Sequence, residues 1–240
     1  MPPVLSPSCC PSPNHGPRPD GVEVDILLVH YTGMPDGKAA LERLCDPAAQ
    51  VSAHYLVDED GTVVALVPED RRAWHAGAGF WQGERDINSR SIGVELVNPG
   101  HEWGYRLFPD AQMAAFAELA RGILDRHGIL PHRVLGHSDV APARKEDPGE
   151  LFDWRGLAAM GIGFWPYPEA EDDGPGYAVA EAQTLLGRFG FEVQRTGVLD
   201  AQTRVAATAF QRHFIPDRVA YGLDAAFMRV LRAAVRQAGA

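Results

Sequence analysis

Nine histidines are spread along this 240-residue chain. Two of them, His30 and His137, each close a short apolar run and precede turn-forming residues. Tyr31-Thr32-Gly33 follows the first, and Ser138-Asp139-Val140-Ala141-Pro142 follows the second. Strand ends that open onto loops are where sites collect on an α/β scaffold. Ten residues past His137 stands Asp147, within Lys145-Glu146-Asp147-Pro148-Gly149. Two imidazoles and a carboxylate can bind Zn²⁺ tetrahedrally and leave a fourth position for water. Spacing alone does not fix that geometry, since no HExxH helix or CxxC knuckle accompanies it.

Glu95 is the one carboxylate inside Ile92-Gly93-Val94-Glu95-Leu96-Val97. There it faces desolvation unless a metal, a water or a donor meets it. A buried Glu with a raised pKa is a natural general base for a water activated by zinc. The alternative is a solvent-side position on an edge strand. Lys145, two residues from Asp147, could hold a developing oxyanion, although a solvated loop lysine reads the same way. Most other histidines read as structural. His127 lies near a helix C-terminus, where an imidazolium suits the dipole. His15, His101, His132 and His213 fall in loops or partly polar contexts, and His54, mid-strand, is open between packing and facing a substrate.

Elements must hold these residues. Val24–Val29 is an apolar run of buried-strand type, and Leu41, Leu44 and Cys45 recur at helical spacing. Residues 51–57 and 62–67 flank Asp58-Glu59-Asp60-Gly61, a hairpin pattern whose turn ends on glycine. Ser91–Val97 is another strand. Met113, Phe116, Ala117, Ala120, Ile123, Leu124 and His127 then keep helical rhythm until Gly128. Val134–His137 is a last short strand. Strands and helices interleave, so an α/β domain is expected over residues 1–165, with 1–20 a Pro-rich irregular lead-in. Residues 166–176, acidic and rich in Pro and Gly, read as a linker. Beyond them, three helical patterns suggest a small separate unit over 177–240.

With 22 Lys+Arg against 32 Asp+Glu, the net charge is −10, which argues against nucleic acid as a partner. No apolar run approaches the roughly 20 residues that span a bilayer, so no membrane partner is expected. The N-terminus lacks the basic and apolar regions of a Sec signal, and Cys9, Cys10 and Cys45 suggest no disulfide framework. A cytoplasmic location is expected, with a periplasmic one as the alternative if the true start or export route differs.

Taken together, these segments resemble the N-acetylmuramoyl-L-alanine amidases of the amidase-2 type, whose zinc amidase fold is shared with peptidoglycan recognition proteins. The resemblance is carried by His30-Tyr31-Thr32, Val51-Ser52-Ala53-His54-Tyr55, Arg72-Ala73-Trp74-His75-Ala76-Gly77 and Ser91-Ile92-Gly93-Val94-Glu95-Leu96. Gly136-His137-Ser138-Asp139-Val140-Ala141-Pro142 and Lys145-Glu146-Asp147-Pro148-Gly149 continue it in the same order. It implies a central mixed β-sheet flanked by helices, zinc ligands at His30, His137 and Asp147, an acid/base at Glu95 and a transition-state lysine at Lys145. It also places Trp74, His75 and Asn88, the last in the loop before the Glu95 strand, along the substrate groove. The tail, through Ala182-Gln183, Leu185-Leu186, Phe189-Gly190-Phe191, Gly197-Val198-Leu199-Asp200, Thr203 and Ala209-Phe210-Gln211, resembles a three-helix peptidoglycan-binding domain.

The resemblance implies zinc-dependent hydrolysis of the amide between N-acetylmuramic acid, or its 1,6-anhydro form, and L-Ala of the stem peptide. Peptidoglycan fragments or anhydro-muropeptides would be the partners. A non-catalytic peptidoglycan receptor on the same fold is the first alternative, and a lysin or zinc peptidase cutting another bond is the second. The presence of all three ligand positions with Glu95 and Lys145 favours an enzyme. Cytosolic members of the family usually consist of the catalytic domain alone, so the extra tail bears on both compartment and substrate form.

Overall fold

The computed structural model describes residues 8–174 and 178–239. The strands are β1 (Ser8–Cys9), β2 (His15–Pro17), β3 (Ile26–Tyr31), β4 (Tyr55–Val57), β5 (Val63–Ala65), β6 (Arg71–Ala73), β7 (Ser91–Leu96) and β8 (Val134–Gly136). The helices are α1 (Gly37–Cys45), α2 (Ile87–Arg90), α3 (Gly100–Trp103), α4 (Asp110–His127), α5 (His137–Val140), α6 (Trp154–Ala159), α7 (Val179–Phe189), α8 (Ala201–Phe214) and α9 (Ala225–Ala238). Six strands form one sheet in the order β1-β5-β4-β7-β3-β8, and β2 pairs with β6 apart from it. The pairs β4·β7, β7·β3 and β3·β8 are parallel and β4·β5 is antiparallel, so the sheet is mixed. Strands β3 and β7 are apolar almost throughout because helices cover both faces, as parallel strands require.

On one face, α4 sets Phe116, Ala120 and Ile123 against Leu27, Val29, Ile92 and Val94. On the other, Ile26, Leu28 and Leu135 share a single buried cluster with Ala182, Leu186, Phe210, Phe227 and Leu231 of α7, α8 and α9. The three C-terminal helices therefore share one core with the sheet. Trp81, 1% exposed, fastens them, its ring meeting Phe189 and Phe191 edge-on. No helix among the described residues is long and apolar enough to cross a membrane.

Two expectations are revised. The segment expected as a linker bends into a 3₁₀ turn at Ala170–Asp172. Asp172 is buried there, and Arg236 of α9 donates to it at 2.9 Å, so residues 169–173 are moored to a helix they were expected to leave free. Pro175 and Gly176 of that segment, and Tyr177 after it, lie outside the described residues. The N-terminal stretch is not wholly irregular: β1 extends the sheet beside β5, and β2 pairs with β6. Arg18, just past β2, donates to the carbonyls of Glu69, Asn88, Ser89 and Ser91, stitching this strap to the body; residues 1–7 lie outside the described ones. The free thiols of Cys10 and Cys45 stand 3.5 Å apart across the strap and α1.

Candidate active site

Three neighbouring parallel strands bring the chemistry together at their C-terminal ends. On β3, His30 is in register with Glu95 of β7, and Val29 is in register with Gly136, the last residue of β8. His137 therefore opens α5 one residue beyond, alongside His30. Asp147 returns to the same place in the loop after α5, where its carbonyl accepts from the Ser138 amide at 2.9 Å. Gly136 permits that return, because a Cβ there would stand 2.7 Å from the Pro148 ring.

The imidazoles of His30 and His137 approach each other to 2.9 Å through their Nδ1 atoms, and Asp147 Oδ2 lies 2.9 and 3.0 Å from them. All three side chains are buried, at 1%, 2% and 5% exposure. Their far sides decide the tautomers. Nε2–H of His137 donates to the Ala76 carbonyl at 2.9 Å. On His30, Nε2–H donates to His75 Nδ1 at 3.0 Å. His75 in turn donates from Nε2 to Ser91 Oγ, whose own proton goes to the Ile87 carbonyl at 2.7 Å. With those protons committed outward, both Nδ1 atoms face the Asp147 carboxylate as bare acceptors. Three lone-pair donors converge with no proton between them, which is the environment a cation satisfies, and the set can hold a metal ion.

The electrostatics agree. Burial, followed by the neighbouring His137, pushes His30 down to about 4, so it stays a neutral donor. Burial also drives His75 well below its ordinary value. Glu95 behaves oppositely. Desolvation, reinforced by the charge of Asp147 and opposed by Lys145, raises it well above the ordinary value. Its Oε2 is buried and finds no hydrogen-bond partner among the described residues. A carboxyl so placed holds a proton far more readily than a solvated one.

These groups share a cleft of about 430 Å³, open to solvent, which Lys145, Trp74 and Tyr31 also line. Trp74 is fixed by its amide, which donates to Ser52 Oγ at 2.8 Å. The two nitrogens of His75 are taken up by His30 and Ser91, and its ring lies over β7 only because residue 93 is glycine; a Cβ there would stand 2.5 Å from the ring. Asn88 corrects an expectation. It sits in α2, not in a loop, away from the cleft, with Oδ1 accepting from the amides of His75 at 3.0 Å and Ala76 at 2.8 Å. Those two orphan amides need a partner in the interior, and the short Asn side chain supplies it from behind the wall.

Other histidines also find places. His54 is packing: Nδ1 accepts from the Gly93 amide at 2.9 Å, and Nε2 reaches the Arg71 carbonyl at 3.1 Å, one residue ahead of β4. His101, expected in a bland loop, is on α3 and meets the Tyr31 hydroxyl at 3.0 Å on the rim of the cleft. His213, also expected in a polar context, is buried in α8. Arg144 was not singled out from the sequence. Its guanidinium donates to the carbonyls of Ala76 and Ala78, closing the turn that His137 also holds. Such long-range partnerships leave no local spacing to read.

The fold and the site define a class. Residues 20–150 match the N-acetylmuramoyl-L-alanine amidase family, and the chain belongs to it. Among its relatives is the N-acetylmuramoyl-L-alanine amidase AmiD of Escherichia coli (strain K12), 38% identical over 212 residues, or 80% of this chain and 75% of that protein. The 1,6-anhydro-N-acetylmuramyl-L-alanine amidase AmpD of the same organism is 37% identical over 161 residues, covering 60% of this chain and 86% of its own length. The structure of E. coli AmiD in complex with the substrate anhydro-N-acetylmuramic acid-L-Ala-D-γ-Glu-L-Lys superposes with a TM-score of 0.80 at 33% identity, covering 92% of this chain and 93% of that one. AmpDh3 from Pseudomonas aeruginosa, in complex with anhydromuramic pentapeptide, superposes at 0.76 with 30% identity and 99% coverage of both chains.

Proposed function

We propose that the chain hydrolyses the amide joining N-acetylmuramic acid, in its 1,6-anhydro form, to L-Ala of the stem peptide, during turnover of cell-wall fragments. The observation that carries this reading is the convergence of two unprotonated Nδ1 atoms and a carboxylate beside Glu95, whose Oε2 is buried without a partner. Solved relatives hold anhydromuramyl peptides, which supports the anhydro form as the substrate.

His30, His137 and Asp147 would hold zinc. Bonds of about 2.0–2.1 Å at tetrahedral angles separate donor atoms by roughly 3.3 Å, a few tenths more than the separations of 2.9–3.0 Å between these atoms. Zinc supplies Lewis acidity toward the scissile carbonyl and toward a water. Glu95 takes the proton of the attacking water and later returns it to the leaving L-Ala amine, the double duty that its raised pKa suits. Lys145, on the same cleft, sets its ammonium against the oxyanion that develops on the carbonyl. His75 holds His30 in the required tautomer, and Trp74 offers an aromatic wall to the sugar.

Incubating the purified chain with an anhydromuramyl tripeptide and weighing the products tests the reading. The expected products are anhydro-N-acetylmuramic acid and a free peptide beginning with L-Ala. Cleavage within the peptide would establish a peptidase instead, and binding without turnover by the zinc-loaded chain would establish a receptor. The C-terminal helices, by their resemblance, would add affinity for glycan, which a pull-down on insoluble peptidoglycan measures. A cytoplasmic location belongs to the same reading, and cell fractionation tests it.

A further inference from the structure

We infer that Arg212 and His213, adjacent in the last turn of α8, are positioning residues for the metal centre, clamping both ends of the segment that carries His137, Lys145 and Asp147. The inference rests on the reading of that centre given above. At the front of the segment, Asp139 Oδ2 accepts from the Gly136 amide at 2.7 Å and so caps the turn on which His137 stands. The same oxygen accepts from His213 Nδ1 at 2.7 Å, with both side chains buried. The His213 ring is itself fixed, stacked 3.9 Å from Trp154 of α6 and 3.9 Å from Phe214. At the back of the segment, Arg212 reaches Glu146 Oε1 at 2.9 Å and Glu150 Oε2 at 3.3 Å. Those acids flank Asp147 on both sides, and Glu146 follows Lys145 directly. Arg212 is itself only 8% exposed, and its planar fork holds the half-exposed Glu146 and the partly exposed Glu150 from a fixed place.

The two contacts are polar, unlike the apolar packing that joins the tail to the rest of the chain. Elsewhere the tail is held by apolar burial, in which Val140 and Ala141 of the same segment take part, and by surface pairs such as Arg85 with Glu192, which lie outside residues 136–150. Only a short helix and a loop separate the second donor from the third, so their mutual distance depends on what pins that loop. Groups bonded directly to metal ligands set metal affinity within about 10–100-fold; Arg212 and His213 stand one bond further out, acting through Glu146, Glu150 and Asp139, so the low end of that range is expected. The tail is thereby part of the metal centre's support, separately from any affinity it has for glycan.

The test uses full-length chains carrying Arg212→Gln, His213→Gln, Arg212→Lys or Glu146→Gln, with Arg85→Gln as the control that breaks a tail contact away from the segment. Zinc affinity is read by chelator competition, the ligand field by the visible spectrum of the cobalt-substituted chain, and kcat and KM on an anhydromuramyl tripeptide. Arg212→Gln and His213→Gln are expected to weaken zinc binding about tenfold or more and to shift the cobalt bands. Their kcat should fall while KM stays within about twofold. Arg212→Lys, which keeps the charge without the two-pronged reach, should recover part of the loss, and Arg85→Gln should match the wild type. Variants that fold with wild-type zinc affinity, cobalt spectrum and kcat overturn the clamp while leaving the metal reading intact. A wild-type chain that takes up no zinc overturns both. If His213→Gln is not recovered folded, Arg212→Gln and the surface variant Glu146→Gln decide alone by the same readouts.

Discussion

At Glu95 the protein keeps a carboxyl where carboxyls are uncomfortable: one oxygen is sealed from water without a donor, and the negative Asp147 lies nearby. That arrangement is costly for folding and useful for moving protons, so activity and stability should separate in one substitution. Glu95→Gln keeps the shape and removes the ionisable group. It should lower turnover by about 10²–10⁴-fold while zinc content, measured by elemental analysis, stays at the wild-type level. Thermal melting should show the variant at least as stable as the parent. Lys145→Met should cost on the order of 10²–10³ in kcat, since it removes an oxyanion partner and touches no zinc donor. His30, Glu95 and His137 were legible because each interrupts or ends an apolar strand, a local feature. Asn88 was misplaced because its neighbours in sequence do not reveal which side of the wall its amide faces. Asp139 was legible only within the Gly136–Pro142 motif, because its partner His213 lies too far along the chain for any spacing to connect them.

Among the elements, the parallel trio β7-β3-β8 fixes the site, and two residues tie its flank to β4. His54 accepts from the Gly93 amide, and burial pushes its imidazole down to about 3. In the unfolded chain the same group titrates near 6.5. Between those values the unfolded state binds the extra proton, so this contribution is complete above about pH 6.5 and drains away as pH falls toward 3. His54→Gln should flatten that part of the stability curve, as urea melts from pH 7 to pH 4 would reveal. Gly93→Ala tests the other tie. A methyl at 2.5 Å from the His75 ring forces the ring off β7, so the variant should lose both stability and zinc affinity, the latter by chelator competition. The strands were readable as alternations and apolar runs, but not their ends. The hairpin expected over 51–57 and 62–67 narrows to β4 and β5, because the His54 carbonyl, just ahead of β4, accepts from the amides of Leu66 and Val67.

For the whole molecule, the decisive fact is a core that continues from the sheet into α7, α8 and α9. Composition marked residues 166–176 as a tether, yet composition reports what a segment prefers in water and is silent about the arginines of α9 that wait for its acids. The three helices themselves were readable from their apolar spacing; the face they cover was not, because a buried parallel strand looks the same whatever lies on it. Calorimetry of the full chain should accordingly give a single cooperative transition, not two. Trp81→Ala, at the junction, should destabilise that transition by about 3–5 kcal/mol without splitting it. Two separate endotherms in the wild type would contradict a shared core.

The seat of Trp81 against Phe189 and Phe191 also bears on how such a gene can change. A premature stop codon after the amidase segment would not release a leaner enzyme, because the indole and the sheet face beneath it would be left bare to water. Losing the tail in descent would first demand polar replacements on that face. Shortening therefore has to proceed through surface redesign, one residue at a time, before any deletion is tolerated.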